Sequence, residues 1–295
     1  AILMAHVWWL ERDVLNLSLE KVRDFMSFEE FWTRGDIHER VNTALKDAKL
    51  LDKKIEIEDL FPLDQYHARG IKATIDLADK VNFKRDSNII DIGCGLGGPA
   101  RYFAKKFDCN VYGIDITGAF IDIGNYFNKL TQVDHKVKLL KGDGEKLPYE
   151  TEFFDGGLSQ HVTMNIDNRE QFFNEAFRVL KKGAIFGFSE HGLGTKGNPI
   201  FPLPWADSEN MSFLKTPEFT TNLLKKIGFE NIKVISTGEK YISGYDTLLK
   251  QGKPDEKPTL GIHVIGGETM LERSKNSMQS IIENRTYPFE IICNK

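Results

Sequence analysis

The chain has 295 residues, 41% of them hydrophobic and 28% charged, an ordinary globular composition that excludes a disordered or collagen-like polypeptide. Lys and Arg total 39 against 43 Asp and Glu, a net charge of -4, and no basic stripe marks it as a nucleic-acid binder. Three cysteines, Cys94, Cys109 and Cys293, are too few and scattered for a disulfide framework and have no metal-ligand spacing. A cytoplasmic, reducing compartment and no bound metal are therefore expected.

Residues 1–10 are apolar but stop at Glu11-Arg12-Asp13. That is short of the roughly 20 apolar residues of a membrane span, and a basic leader with a small-residue cleavage site is missing, so neither a span nor a secretory leader is expected. Apolar spacings of three and four predict helices over 10–25 and 37–50. Leu60-Phe61-Pro62-Leu63-Asp64 interrupts that pattern, and a helix over 70–81 follows. From residue 88 short apolar runs alternate with amphipathic segments. Strands are predicted at 88–92, 110–114, 137–141, 154–159 and 184–189, with helices at 99–107, 119–131 and 169–180. Pro99 suits a first helical turn, and Gly183 suits the end of the helix before the fifth strand. Thr216-Pro217 opens a further helix that Gly228 closes, and strands at 231–237 and 289–294 complete the series.

That order predicts an α/β fold, a doubly wound, mostly parallel sheet with helices on both faces. Residues 191–215 and 238–287, the latter with a helix over 268–284, exceed what such a sheet needs. The division expected is a helical lid over 1–62 and a main domain over 63–295, with those two stretches capping the strand ends, where ligands bind in such sheets.

The strongest local signal is Ile89-Ile90-Asp91-Ile92-Gly93-Cys94-Gly95-Leu96-Gly97-Gly98-Pro99, a strand running through a glycine loop into a helix. Glycines let backbone pass close beneath a ligand, and the helix start offers N–H donors. Gly93, Gly95 and Gly98 satisfy the dinucleotide pattern, which by itself equally describes a tight strand-to-helix turn. Asp91 bears on the choice. A carboxylate at that strand end repels a pyrophosphate but welcomes an ammonium group. Asp115 ends the next strand, twenty residues past Gly95, where an acid accepts both ribose hydroxyls. After the third strand comes Lys141-Gly142-Asp143-Gly144-Glu145. It reads as a turn, or as an adenine contact through the Asp143 carboxylate and the Gly144 N–H.

These three motifs, in this order, resemble the class I S-adenosylmethionine-dependent methyltransferases. The likeness continues through Phe153-Phe154-Asp155-Gly156-Gly157-Leu158-Ser159-Gln160-His161 and Arg178-Val179-Leu180-Lys181-Lys182-Gly183. Asp64-Gln65-Tyr66-His67-Ala68-Arg69-Gly70, the run from Gln160 to Ile166, and Phe201-Pro202-Leu203-Pro204-Trp205-Ala206 are similar to the branch that holds ubiquinone/menaquinone and sarcosine/dimethylglycine methyltransferases. The likeness covers residues 60–237 well and the ends loosely. Lys182-Gly183-Ala184 departs from it at a turn where a second glycine is frequent. The resemblance implies a Rossmann-like sheet of seven strands, the last antiparallel, and S-adenosyl-L-methionine as cofactor with S-adenosyl-L-homocysteine as product. It implies that Asp91, Gly93, Cys94, Gly95 and Gly97 hold the methionine end, Asp115 and Ile116 the ribose, and Asp143 and Gly144 the adenine. Gln160 approaches the methionine moiety. Tyr66, Arg69 and Gly70 close over the cofactor, with Arg69 offered to its carboxylate.

Methyl transfer from a sulfonium needs alignment and a water-poor pocket, and a base only where the acceptor must lose a proton. His161, after the fourth strand, is the residue expected in that role; otherwise it orients Asn165 or caps a turn. His191 is the second candidate, beside Glu190, which would suit a cationic acceptor. Trp205 walls an acceptor pocket or anchors its loop, and Trp32 reads as a core residue of the lid. Cys94 fits its loop by size and is no nucleophile. The acceptor expected is a small molecule methylated on N, C or O, and the protein a monomer or homodimer. A nicotinamide oxidoreductase, a catalytically silent binder of the same cofactor and a polyamine synthase are the alternative readings. Asp91 disfavours the first, the intact loop with His161 the second, and the absence of a diamine-shaped acidic cluster the third.

Overall fold

The apolar runs pair into one seven-stranded sheet of order β3-β2-β1-β4-β5-β7-β6. Its strands are β1 (Asn88–Ile92), β2 (Asn110–Asp115), β3 (Val137–Lys141), β4 (Phe154–Gln160), β5 (Leu180–Leu193), β6 (Glu230–Ser236) and β7 (Thr286–Asn294). β1 to β5 pair in parallel, while β7 runs antiparallel to both β5 and β6. This is the expected Rossmann-like arrangement, six strands one way and the last reversed. The computed structural model describes residues 28–33, 35–251 and 258–295; the helix expected over 10–25 lies outside them.

The helices are α1 (Phe28–Trp32), α2 (Ile37–Asp47), α3 (Ile57–Asp64), α4 (Ile71–Val81), α5 (Gly98–Phe107), α6 (Gly118–Leu130), α7 (Arg169–Val179), α8 (Pro217–Ile227), α9 (Gly238–Gln251), α10 (Ile262–Gly266) and α11 (Met270–Ile282). Successive strand residues face opposite ways, and β1 shows how this builds two cores. Ile89 packs with Leu77 of α4, Phe103 of α5 and Ile121 of α6. Its neighbour Ile90 packs with Phe172 and Val179 of α7 and Leu223 of α8. A third cluster joins α2, α3 and α10 to Phe120 and Phe127 of α6 and to Leu96 of the glycine loop, so these helices sit over the strand ends.

Three local expectations are corrected. The segment around Pro62 does not break the chain's helical course but lies inside α3. A capping box between Glu56 and Asp59 and the burial of Leu60 and Leu63 hold that helix despite the missing N–H. Gly183 caps no helix: α7 ends at Val179, Leu180 already pairs with Phe154, and Gly183 (φ 78°) makes an irregularity within β5. β5 also runs on to Leu193, because β7 pairs with it as far as Leu193↔Thr286.

Candidate active site

Beyond β1 the chain turns through Gly93, Gly95 and Gly97, all at positive φ (78°, 53° and 76°). The N–H groups of Gly93 and Cys94 both donate to the Ile114 carbonyl, at 2.7 and 3.0 Å, which ties the loop to the end of β2. Asp115 braces it: Oδ2 accepts from Gly95 N–H at 2.8 Å and Oδ1 from Thr117 N–H at 2.9 Å. On the other side the fully buried Arg101 donates from Nη2 to Leu96 O (2.6 Å) and Asp64 Oδ2 (2.9 Å), and from Nη1 to Asn128 Oδ1 (2.7 Å). Burial pushes Asp64 up to about 6 against the pull of that guanidinium. Losing Arg101 strands the buried acid, a disruption of about 3–5 kcal/mol. Its role gives no sequence signal, since Asp64 and Asn128 are remote from it in the chain.

A cavity of about 330 Å³ opens at the carboxyl ends of β1, β2 and β4. It gathers Asp91, Gly93, Cys94, Gly95, Asp115, Ile116, Asp143, Gly144, Gln160, His161, Asn165 and Tyr66. Gly97 is not on its wall; it is the N-cap of α5, where a Cβ would run into Leu139 and Arg101. Asp91 is 1% exposed, and its Oδ2 has no partner. Burial, followed by the nearby Asp115, pushes its carboxyl up to about 8. Burial also raises Asp115, against the Thr117 and Gly95 N–H groups that favour its ionised form. Gln160 accepts from Thr74 Oγ1 at 3.2 Å, and its Nε2 is buried and unpaired. Nothing lies within 4 Å of where a Cβ on Gly95 would stand, so the loop leaves room for a ligand. Asp143 Oδ1 accepts from Glu145 N–H at 2.8 Å, which shapes the turn carrying Gly144. An unpaired buried acid, an unpaired amide donor, the Asp115 carboxylate and the Asp143 turn suit one elongated ligand. It would carry an ammonium at one end and a ribosyl base at the other.

A second cavity, of about 870 Å³, meets the first at Trp32, Tyr66, His67 and His161, which line both. Arg69 and Gly70, expected against the cofactor, line this second cavity and not the first. The Arg69 guanidinium turns to Asp76, with Nη2 2.5 Å from Oδ2. His191 and Trp205 line it as well, their rings stacked at 4.5 Å, while Trp205 Nε1 donates to Ser212 Oγ. Trp205 is thus both wall and anchor. Asn165 donates from Nδ2 to the carbonyls of Trp205 (3.0 Å) and Met211 (3.3 Å), so it pins that loop rather than serving His161. Glu190 reaches neither cavity. It is fully buried, paired with Arg169 at 2.7 Å and hydrogen-bonded to Thr163 and Thr220, and cannot meet a cationic acceptor. Trp32 is no mere core residue, since it stands where the cavities join.

At that junction three histidines cluster. His161 holds φ 59°, its N–H donates to Ser189 O at 2.8 Å, and its Nε2 lies 2.5 Å from Tyr241 Oη. His67 stacks on it at 5.6 Å with the rings 12° from parallel, and His191 lies 5.4 Å away. Burial lowers all three: His67 to about 4, His191 to about 3, and His161 well below the usual range, helped by the other two histidines and Arg69. The cluster is therefore neutral at pH 7. His161 directly follows Gln160 of β4, which pairs with Ser189, and His191 lies two residues further along β5, so the sheet register brings the two together. Tyr241, in α9, and the stacking of His67 gave no signal. Burial also raises the Cys94 thiol far up, which leaves it unreactive. Among the described residues no group of His, Cys, Asp and Glu could hold a metal ion, and no helix is long and apolar enough to cross a membrane.

Residues 90–188 match the methyltransferase-domain family. The chain is 33% identical over 114 residues to a sterol 24-C-methyltransferase of Candida albicans, covering 39% of this chain and 30% of that one. It is 31% identical over 147 residues to the sarcosine/dimethylglycine N-methyltransferase of Halorhodospira halochloris, covering 50% and 53%. The chain thus spans about half or less of the curated relatives it matches. A phosphoethanolamine N-methyltransferase 2 of Haemonchus contortus, solved with S-adenosyl-L-methionine, superimposes with a TM-score of 0.71 at 20% identity, over 92% of this chain and 60% of that one.

Proposed function

We propose that this chain is a class I methyltransferase that transfers a methyl group from S-adenosylmethionine to a small-molecule acceptor held in the second cavity, a reading supported by the methyltransferase-domain match over residues 90–188 and by the fold. The observation that carries the reading is the first cavity's pair of acids, Asp91 buried and Asp115 half-buried. Asp91 presents an unpaired Oδ2, and Asp115 sits beside a glycine loop with room for a ligand. Asp91 Oδ2 fits the ammonium of a bound amino acid, and Gln160 Nε2, also unpaired, fits its oxygen-bearing end. Asp115 and Ile116 would hold the ribose, and Asp143 and Gly144 the adenine. A pyrophosphate-bearing nicotinamide cofactor would place negative charge against Asp91, which disfavours an oxidoreductase.

When bound, the cofactor supplies an electrophilic methyl on a sulfonium. The chain's part is to exclude water, align the acceptor and manage a proton. Three neutral imidazoles at the junction present no repelling charge to a cation. We assign His161 Nε2–H as donor to Tyr241 Oη, which leaves the Nδ1 lone pair to take a proton from an acceptor that must lose one. His191 and Trp205 wall the acceptor, and Asn165 holds that wall. Helices α1 to α3, with α9 to α11 and the 201–215 loop, act as the cover over both cavities. The three cysteines are free and buried, which supports a reducing, cytoplasmic setting. Calorimetric titration with S-adenosylmethionine and S-adenosylhomocysteine, against NAD, tests the reading. Binding of both sulfur ligands but not NAD is expected; binding of NAD alone would overturn it.

A further inference from the structure

We infer that the second cavity is built for an acceptor bearing an anionic group, a carboxylate or a phosphate, and that Arg69 receives it. The inference rests on the reading of that cavity as the acceptor site. The Arg69 side chain is 7% exposed, yet its Nη1 is buried with no hydrogen-bond partner. A buried guanidinium N–H without a partner is costly, and the carboxylate that faces Arg69 is shared. Asp76 Oδ2 lies 2.5 Å from Arg69 Nη2 and 2.7 Å from Lys240 Nζ, so two cations compete for one acid. Around the cavity Arg69, Lys72 and Lys240 stand against Asp76 and Glu239, an excess of one positive charge.

Arg69 is also held in place at some expense. Its φ of 72° is left-handed for a residue with a side chain. Helix α9 reaches it through Gly244, where a Cβ would come within 2.8 Å of Arg69 Cγ, so only glycine lets the helix lie on the arginine stem. The guanidinium is close to the reacting end, since its charge contributes to keeping both His67 and His161 neutral. Trp205, Met164, Leu260 and Met270 give the cavity apolar wall, beside the uncharged His67, His161 and His191 and the hydroxyls of Ser243, Thr247 and Ser274. An apolar body with one anionic group near the methylated atom matches that distribution. The plainer alternative is an Arg69–Asp76 pair that only tethers α9.

Calorimetry with octanoate, octyl phosphate and 1-octanol separates the two, on the protein both free and saturated with S-adenosylhomocysteine. At least one of the anions should bind about tenfold or more tightly than the alcohol, and the stronger one distinguishes carboxylate from phosphate. Asp76→Asn removes the competing acid and should tighten anion binding about threefold without changing the alcohol. Arg69→Gln should erase the preference while leaving S-adenosylhomocysteine affinity as it is. Octanol binding as tightly as both anions would overturn the proposal, as would a preference that survives Arg69→Gln. Should that variant not fold, unchanged anion affinity in Asp76→Asn overturns it equally. Loss of S-adenosylhomocysteine binding alone would count against the cofactor reading instead, because the anion preference is measured without that ligand too.

Discussion

The two cavities are built in different ways. The first takes its walls from consecutive residues at strand ends, with Asp91 to Gly95, Asp115 to Thr117 and Gly142 to Glu145 each supplied by one turn. The second is assembled from α3, α4, α9, α10, α11 and the 201–206 loop, segments far apart in the chain. A cavity made of strand-end turns inherits the geometry of the sheet and tolerates little change. One made of covering segments can alter its lining without disturbing the sheet, so the cofactor side is expected to be stereotyped and the acceptor side individual.

Substitutions at the junction should break this division most sharply. His161→Ala should lower kcat by about 10²–10⁴-fold, the scale of general acid–base catalysis, with cofactor affinity changed little. Stopped-flow or steady-state turnover beside calorimetry checks it, and the reverse pattern would move His161 into the cofactor shell. Within the first cavity, Asp91→Asn should weaken S-adenosylmethionine binding by about 100-fold or more, since a buried charge pair is lost. The same change should raise the stability of the ligand-free protein at pH 8. With its carboxyl pushed up to about 8, Asp91 contributes stability that is full below the ordinary carboxylate range and disappears as pH rises toward 8. Thermal melts at pH 5 and pH 8 read this directly: the gain from Asn should be larger at pH 8.

Asp115→Ala should cost about 1.5–3 kcal/mol of cofactor affinity, the worth of hydrogen bonds to a charged group. Unchanged affinity on calorimetry would remove the ribose assignment. The smallest effect belongs to Tyr241→Phe, which keeps the buried ring and deletes the hydroxyl 2.5 Å from His161 Nε2. A kcat loss of about tenfold is expected with cofactor affinity intact, together with a mixed tautomer in the ¹⁵N spectrum of His161 where the parent shows Nε2–H. A single tautomer in both proteins would sink that assignment.

The contrast also explains what the sequence made legible. Five of the seven strands lie within a residue of their predicted starts because β-forming runs bounded by turns carry their own signal; the exceptions are β5, starting at Leu180 through an irregular register with β4, and β7, starting at Thr286 rather than 289. The ends of β5 and β7 were set by their mutual pairing, which no local pattern reports. The positions of Asp91, Asp115 and Asp143 were readable because each stands at or near the carboxyl end of its strand: next to last in β1, last in β2 and two residues past β3. Arg69 was misplaced, since its direction depends on Asp76 and on α9 closing over it through Gly244. Tyr241 and Arg101 passed unseen for the same reason: their partners are fixed by packing between remote segments.

The central claim is that Asp91 receives an ammonium group in the first cavity. The most direct measurement is S-adenosylhomocysteine affinity at pH 6, 7 and 8, with NAD alongside. Binding a cation requires Asp91 ionised, so affinity should rise with pH, by up to about tenfold per unit until pH 8, with protons released on binding. NAD should not bind at any of the three. Affinity independent of pH, or tighter binding of NAD, would contradict the account.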